Sequence, residues 1–398
     1  MATTTKIEWT DRTWNPVRGC ALVSEGCRNC YAMKFAHRFS GKGKPYAGLT
    51  RLGKHGPVWT GAARFVPEML AEPLTWGAPQ RVFVNSMSDL FHEDITDEQI
   101  AEVFGVMAVA GAQEESERES AQAEDGGCFH RRGDGYVKLG KPAPLYRGGA
   151  PVQLKYGRFR SGPHTFQVLT KRARRMRDVV ASGRFRELVA GAAHRWAMDR
   201  RDAGYLSDCI SGLDNPSAQG RAGRLWPLPN LWLGVSVEDQ AAADERIPLL
   251  LETPAAVRFV SAEPLLGPVE LSDHLWPSGY ESGGPGGWVE TSPAIDWVIA
   301  GGESGNGARP CALEWLEAIR DQCAAAKVAC FVKQLGGFIV SEQRTVVDAE
   351  EQEALGLDSK WAWRAGLKDR KGGDWSEWPE ELRVRQFPSS DEMPARAT

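Results

Sequence analysis

The sequence predicts a mixed α/β protein organised as a full or partial parallel β/α barrel. Six short runs rich in Val, Phe, Ile and Leu are each bounded by Pro, Gly or polar residues, and they read as buried strands. Amphipathic helical patterns lie between them, and strands alternating with helices mean right-handed crossovers in a parallel sheet. Each run also ends in residues that hydrogen-bond or carry charge, as expected where barrel strands deliver a site at their carboxyl ends. An open doubly wound sheet is the second architecture that this alternation allows.

The first candidate strand, 13–17, is the weakest and runs into a cysteine cluster. The runs 82–85 (VFVN), 166–169 (FQVL), 231–235 (LWLGV), 257–260 (VRFV), 297–300 (WVIA) and 330–333 (CFVK) follow. A helix is expected over 97–110, where an acidic first turn precedes Ile100, Val103, Phe104 and Met107 on one face. Similar patterns cover 239–251 and 313–326. Stretches near 112–163, 204–229 and 272–293 are rich in Gly, Pro and charge, break the periodicity and read as insertions. Residues 1–340 therefore read as the barrel domain, and 341–398 as a polar, tryptophan-bearing C-terminal extension with a disordered tail.

Composition narrows the class. Of 398 residues, 42% are hydrophobic and 25% charged, which excludes wholesale disorder and collagen-like or coiled-coil designs. The net charge of −4 gives no global attraction to nucleic acid or anionic lipid, so such binding needs a local patch. No apolar run reaches about 18 residues and the start lacks a basic-then-apolar leader, so no membrane span and a cytoplasmic location are expected. Eight cysteines are too few for a disulfide scaffold.

Three of those cysteines stand together. Cys20, Cys27 and Cys30 form C-x6-C-x2-C directly after the first candidate strand, a spacing that closes a three-thiolate face and leaves one metal position open. A four-iron cluster would offer its open iron to a substrate or cofactor. Zinc would need a fourth ligand such as His37. Five further cysteines are scattered singly.

Polar residues at strand ends supply the other candidates. Ser86, Ser88 and Asp89 follow the run 82–85; Lys171 and Arg172 follow 166–169; Ser236, Glu238 and Asp239 follow 231–235; and Glu263 follows 257–260. Gly301, Gly302, Glu303 and Ser304 follow 297–300. Ser236, Asp239 and Asp97 fit helix caps equally well. Lys171, Glu263 and Glu303 directly follow buried runs and are the catalytic candidates. The GGESG segment could present backbone N–H groups to an anion. Residues 155–186, opening on Lys155 and closing on Arg186, hold ten Lys or Arg against the single acid Asp178. They are the candidate contact for a nucleic acid or nucleotide, the alternative being a solvated helix face.

Seven blocks carry a resemblance: TWNPVRGC with GCRNCYA (13–32), FVNSMSDLFH (83–92), QVLTKR (167–172), LGVSVED (233–239), RFVSAEPLLGPV (258–269), DWVIAGGESG (296–305) and LKDRKGGDWSEWPEELRVRQFP (367–388). In this order they resemble a phage-associated three-cysteine-motif family of unknown function, the Gp37/Gp68-like phage proteins. That family is similar to radical S-adenosylmethionine (SAM) enzymes. The resemblance implies a radical-SAM-like barrel in which Cys20, Cys27 and Cys30 ligate a [4Fe–4S] cluster and SAM chelates the free iron. Reductive cleavage to a 5′-deoxyadenosyl radical would follow, with a reductase or flavodoxin-type protein as electron donor and a further partner protein conceivable. Tyr31 would lie near the adenine. By strand order Ser86, Ser88 and Asp89 would meet the SAM amino group, with Glu238 a further cofactor-facing candidate. The first gap is six residues, where that superfamily usually has three. Its glycine-rich GGE motif usually follows an early strand, so Glu303 does not inherit that role. The alternative is a non-catalytic, zinc-containing nucleic-acid-binding or phage-associated protein.

Overall fold

The computed structural model describes residues 5–54, 56–111, 164–198, 226–275, 293–305, 307–341 and 367–388, together with the backbone of seven short strands elsewhere. Its centre is a seven-stranded sheet: β1 (Arg12–Trp14), β2 (Arg81–Val84), β3 (Thr165–Thr170), β4 (Leu231–Ser236), β5 (Val257–Ala262), β6 (Trp297–Gly301) and β7 (Ala329–Gln334). Every neighbouring pair is parallel and spatial order follows chain order. The sheet curls into a half barrel with β1 and β7 as its outermost strands, which do not pair with each other. The doubly wound alternative is overturned, because no reversal of strand order occurs and the crossovers all advance one way. The expected barrel is therefore a partial one.

Two cores follow from the strand pleat. Outward residues such as Val82, Val84, Val168, Leu233, Val235, Val260, Val298 and Val332 join the main aliphatic core with the crossover helices. Inward residues Phe83, Phe259, Trp297, Ile299 and Phe331 pack with Trp9 into a second, aromatic cluster. Strands buried on both faces read as continuous apolar runs, which is why the six runs were visible.

The described helices are α1 (Tyr31–His37), α2 (Asp97–Gly111), α3 (Ala173–Val180), α4 (Gly183–Met198), α5 (Gln240–Leu251) and α6 (Leu313–Ala326), with a single turn at Ser272–Leu275. A capping box opens α2: Thr96 N donates to Gln99 Oε1 at 3.0 Å and Gln99 N to Thr96 Oγ1 at 3.3 Å. Asp97 is thus not the cap and pairs with Arg175 at 3.2 Å. Asp239 does cap α5, accepting from Ala242 N at 2.9 Å.

The segment 367–388 covers the β7 edge. Val332 N donates to Val384 O at 2.9 Å and Gln386 N to Cys330 O at 2.8 Å. Phe387 closes the amino-terminal end of the half barrel, 5.3 Å from Trp297 and 5.4 Å from Phe331 between ring centres, with the Arg81 guanidinium 4.2 Å above it. Most of the expected insertions lies outside the described residues, as do 342–362 and the expected disordered tail, 389–398. Within them, hairpins pair Phe129–Arg132 with Gly135–Lys138 and Tyr280–Ser282 with Trp288–Glu290.

Candidate functional site

A cleft of about 290 Å³ opens at the carboxyl ends of the strands, where a β/α architecture gathers its loops. Its floor is Ile7, Trp9, Phe83 and Leu169, and the segments after β1, β2, β3, β5, β6 and the ends of β4 and β7 supply its walls. Cys20, Cys27, Cys30, Tyr31, Ser86, Ser88, Asp89, Lys171, Glu263 and Glu303 all line it. Among the residues singled out in the sequence, Glu238 is not part of the lining. It is buried behind the wall, 2.9 Å from Arg246 Nη1 and 3.8 Å from Lys171 Nζ.

The cysteine loop is held by contacts that do not involve sulfur. Gly19 has φ +88°, and a Cβ there would lie 2.3 Å from Ala62 O, so only glycine fits immediately before Cys20. Ser88 Oγ donates to Val17 O at 2.8 Å, which commits the hydroxyl expected to face a cofactor. Cys27 ends a short 3-10 turn, Glu25–Cys27, and Cys30 directly precedes α1. All three thiols are free and partly buried. Burial and then the Asp89 carboxylate push the Cys20 thiol up to about 12, and burial raises Cys30. Among the described residues no group of three His, Cys, Asp or Glu stands ready to hold a metal ion, so the thiols share one mouth without being drawn to coordination distance. His37 meets Thr50 Oγ1 at 3.0 Å and does not line the cleft, so the zinc alternative lacks its suggested fourth ligand there.

Asp89 organises the wall rather than pointing spare oxygens at a ligand. It accepts from Thr170 Oγ1 at 2.8 Å, Phe91 N at 3.0 Å, Arg172 Nη1 at 3.0 Å and Lys171 N at 3.3 Å, which uses the roughly four acceptor sites of a carboxylate. Lys171 Nζ hydrogen-bonds Ser236 Oγ, and Lys333 Nζ lies 3.1 Å from Glu263 Oε1. Tyr31 Oη donates to Ser86 O at 2.8 Å. These pairs form a cationic and acidic wall facing the thiols.

Glu303 ties the cysteine loop to β6. It accepts from Asn29 Nδ2 at 2.9 Å and from Arg309 Nη2 at 2.7 Å, while Arg309 Nη1 donates to Glu25 O at 3.0 Å. Burial alone would raise this carboxyl, but the hydrogen bonds from Arg309 and Asn29 outweigh it and hold it below the ordinary value. A depressed folded pKa adds stability that is complete above the unfolded value and lost as pH falls through the folded one. Glu303→Gln is thus expected to cost about 1–3 kcal/mol at neutral pH and to converge on the parent as pH falls through the lowered Glu303 pKa. Urea midpoints measured across that range check it, and a pH-independent difference would refute the ionic role. The neighbouring glycines serve packing: a Cβ at Gly302 would lie 2.1 Å from Leu335 O, and Gly302 N donates to Gln334 O at 3.2 Å. The anion-cradling role expected of GGESG is corrected for that amide.

Asn85 was overlooked in the sequence because it ends an apolar run. It is buried in the cleft wall with φ +60°, Oδ1 accepts from Val17 N at 3.2 Å, and Nδ2 has no partner. Trp9 Nε1, in the floor, is likewise buried without a partner. Buried donors are rarely left unpaired, and both side chains belong to the cleft lining.

The basic stretch is largely neutralised. Residues 155–163 lie outside the described residues. Beyond them, Arg172 pairs with Asp89 and Glu93, Arg175 with Asp97, Arg177 with Asp178 and Glu252, and Arg184 with Glu98. Arg172, Arg175 and Arg177, within the candidate nucleic-acid contact, thus each face a carboxylate. No described helix is long and apolar enough to cross a membrane.

No curated protein and no solved structure matches the chain. A family model does, over residues 4–114 and 159–365, and the unmatched stretch between them falls within the expected insertion 112–163. The chain therefore belongs to the family described as "Protein of unknown function (DUF5131)".

Proposed function

We propose that this chain is a radical SAM enzyme in which Cys20, Cys27 and Cys30 hold a [4Fe–4S] cluster, with kinship to the phage-associated three-cysteine proteins. The observation that carries the reading is the convergence of three thiols, on the loop leaving the first strand, into a cleft at the carboxyl end of a parallel half barrel. The donor set fits the group: three sulfurs line one mouth, the number that would leave one iron of a four-iron cluster without a protein ligand. Asn85 and Trp9 belong to the lining beside that mouth. The volume of about 290 Å³ lies at the small end of ligand pockets.

Held by Cys20, Cys27 and Cys30, the cluster with SAM would supply radical chemistry for hydrogen abstraction. This chain's own residues bind and shield. Tyr31 and Ser86 form the rim where an adenine would rest, and the aromatic floor excludes water. The Lys171 ammonium, hydrogen-bonded to Ser236, and the Lys333–Glu263 ion pair stand on the opposite wall, where a substrate would be oriented and a proton held at Lys Nζ. Protein purified without oxygen, reconstituted with iron and sulfide and mixed with dithionite and SAM, is expected to release 5′-deoxyadenosine. One zinc and no iron after reconstitution, with no SAM cleavage, would overturn the reading.

A further inference from the structure

A second feature adjoins the cleft. Residues 26–67 contain eight Lys or Arg and no Asp or Glu, in a chain whose net charge is −4. Within this stretch α1 buries Ala32, Met33 and Ala36 and turns Tyr31, Lys34, Phe35 and Arg38 outward, at the i, i+3, i+4, i+7 spacing of one helix face. Phe39 continues the row, its ring centre 5.3 Å from that of Phe35. Tyr31, Phe35 and Phe39 are 58%, 47% and 41% exposed, an uncommon position for three large aromatics in a row. Lys42, Lys44, Arg51 and Lys54 are exposed around them. Among the described residues, Lys34, Arg38 and these four make no ion pair. The contrast with Arg172, Arg175, Arg177 and Arg184, each paired, is direct.

We infer that this face of α1 and the adjoining loops bind single-stranded nucleic acid, whose phosphates meet the free cations and whose unpaired bases stack on Phe35 and Phe39. Alternating rings and cations suit a single strand, because every unpaired base offers a π-face and the backbone offers charge. A duplex hides those faces, and an acidic protein would use the cations without needing exposed rings. Tyr31 belongs both to this row and to the cleft lining, so a strand on α1 runs to the cleft mouth. That such a strand delivers a nucleotide for reaction rests on the radical SAM reading; the binding itself does not.

The test is fluorescence anisotropy of a fluorescein-labelled mixed-sequence oligonucleotide, single-stranded and then annealed, against the full chain without reductant. Single-strand affinity is expected to fall between about 50 and about 200 mM salt, with a log–log slope near −0.7 per engaged cation. Lys34→Glu with Arg38→Glu should weaken binding and flatten that slope by about 1.4. Phe35→Ala with Phe39→Ala should weaken single-strand binding about tenfold or more and leave the slope unchanged. Arg174→Glu, in the stretch 155–186, should have no effect. Circular dichroism confirms that each variant folds. The inference is overturned if the α1 variants bind like the parent, if duplex binds equally and the aromatic pair is neutral, if Arg174→Glu abolishes binding, or if the face retains only an acidic protein. Strand binding without SAM cleavage would sink the catalytic reading alone, and SAM cleavage without strand binding would sink this inference alone.

Discussion

Reconstituted without oxygen, the Cys27→Ala variant is expected to lose its iron and sulfide and all SAM cleavage while keeping its fold. The argument is one of donor number. Three thiolates satisfy three irons of a cubane and leave the fourth for an exchangeable ligand, and removing one leaves a second iron without protein. The loop survives the change because it hangs on Asn29 to Glu303, Arg309 to Glu25 O and Ser88 to Val17 O, none of which uses a thiol. Burial and the Asp89 carboxylate raise the Cys20 thiol against the opposing pull of Arg172, so a metal bound there would displace its proton. Cys323→Ala, in the outer core on α6, should retain full iron. Iron and sulfide assays with absorbance of the reconstituted protein check both, and a Cys27→Ala protein with full cluster content would remove Cys27 from the ligand set.

Asp89→Ala carries the largest expected loss of stability, about 3–5 kcal/mol. Arg172 and Asp89 are both buried, with side chains 6% and 8% exposed. Removing the carboxylate strands a guanidinium in the wall and leaves Thr170 Oγ1 and Phe91 N without their acceptor. Glu93 also pairs with Arg172 but sits largely in water, at 66% exposure, and offsets little. Arg184→Ala, which breaks an exposed pair with Glu98, should cost under about 1 kcal/mol. Urea denaturation of the two variants measures the difference. A loss at Asp89 no larger than at Arg184 would contradict the assignment of a buried ionic keystone.

The strands were legible because both faces of each are covered, so β2 to β7 appear as unbroken apolar runs. Whether the barrel closes was not, since it depends on edge pairing: the hydrogen bonds from β7 to Val384 and Gln386 O atoms and amides join segments more than fifty residues apart. Helix α1 escaped because seven residues after a metal-like motif are too few to display a period. Ten of the eleven site residues named from the sequence line the cleft, because strand ends deliver them there. Their roles were harder to read. Glu303 looked like a free acid until Asn29, 274 residues away in the chain, was seen to hold it. The charge run at 155–186 looked like a ligand surface because its partners Glu93, Asp97 and Glu252 come from other elements. Asn85 gave no signal, since a left-handed backbone and an unpaired amide are properties of the fold.

The aromatic plug of Trp9, Trp297, Phe331 and Phe387 has a kinetic consequence. It closes the half barrel at the amino-terminal ends of the strands, and among the described residues the cleft opens at the carboxyl ends, beside the cysteine loop and Tyr31. Two molecules sharing a chamber closed at one end would arrive in order, the deeper one first, and depart in reverse. A partner seated on the doorstep then governs traffic for everything inside: the chamber works as a queue, and whatever stands at its door sets the residence time of what lies behind.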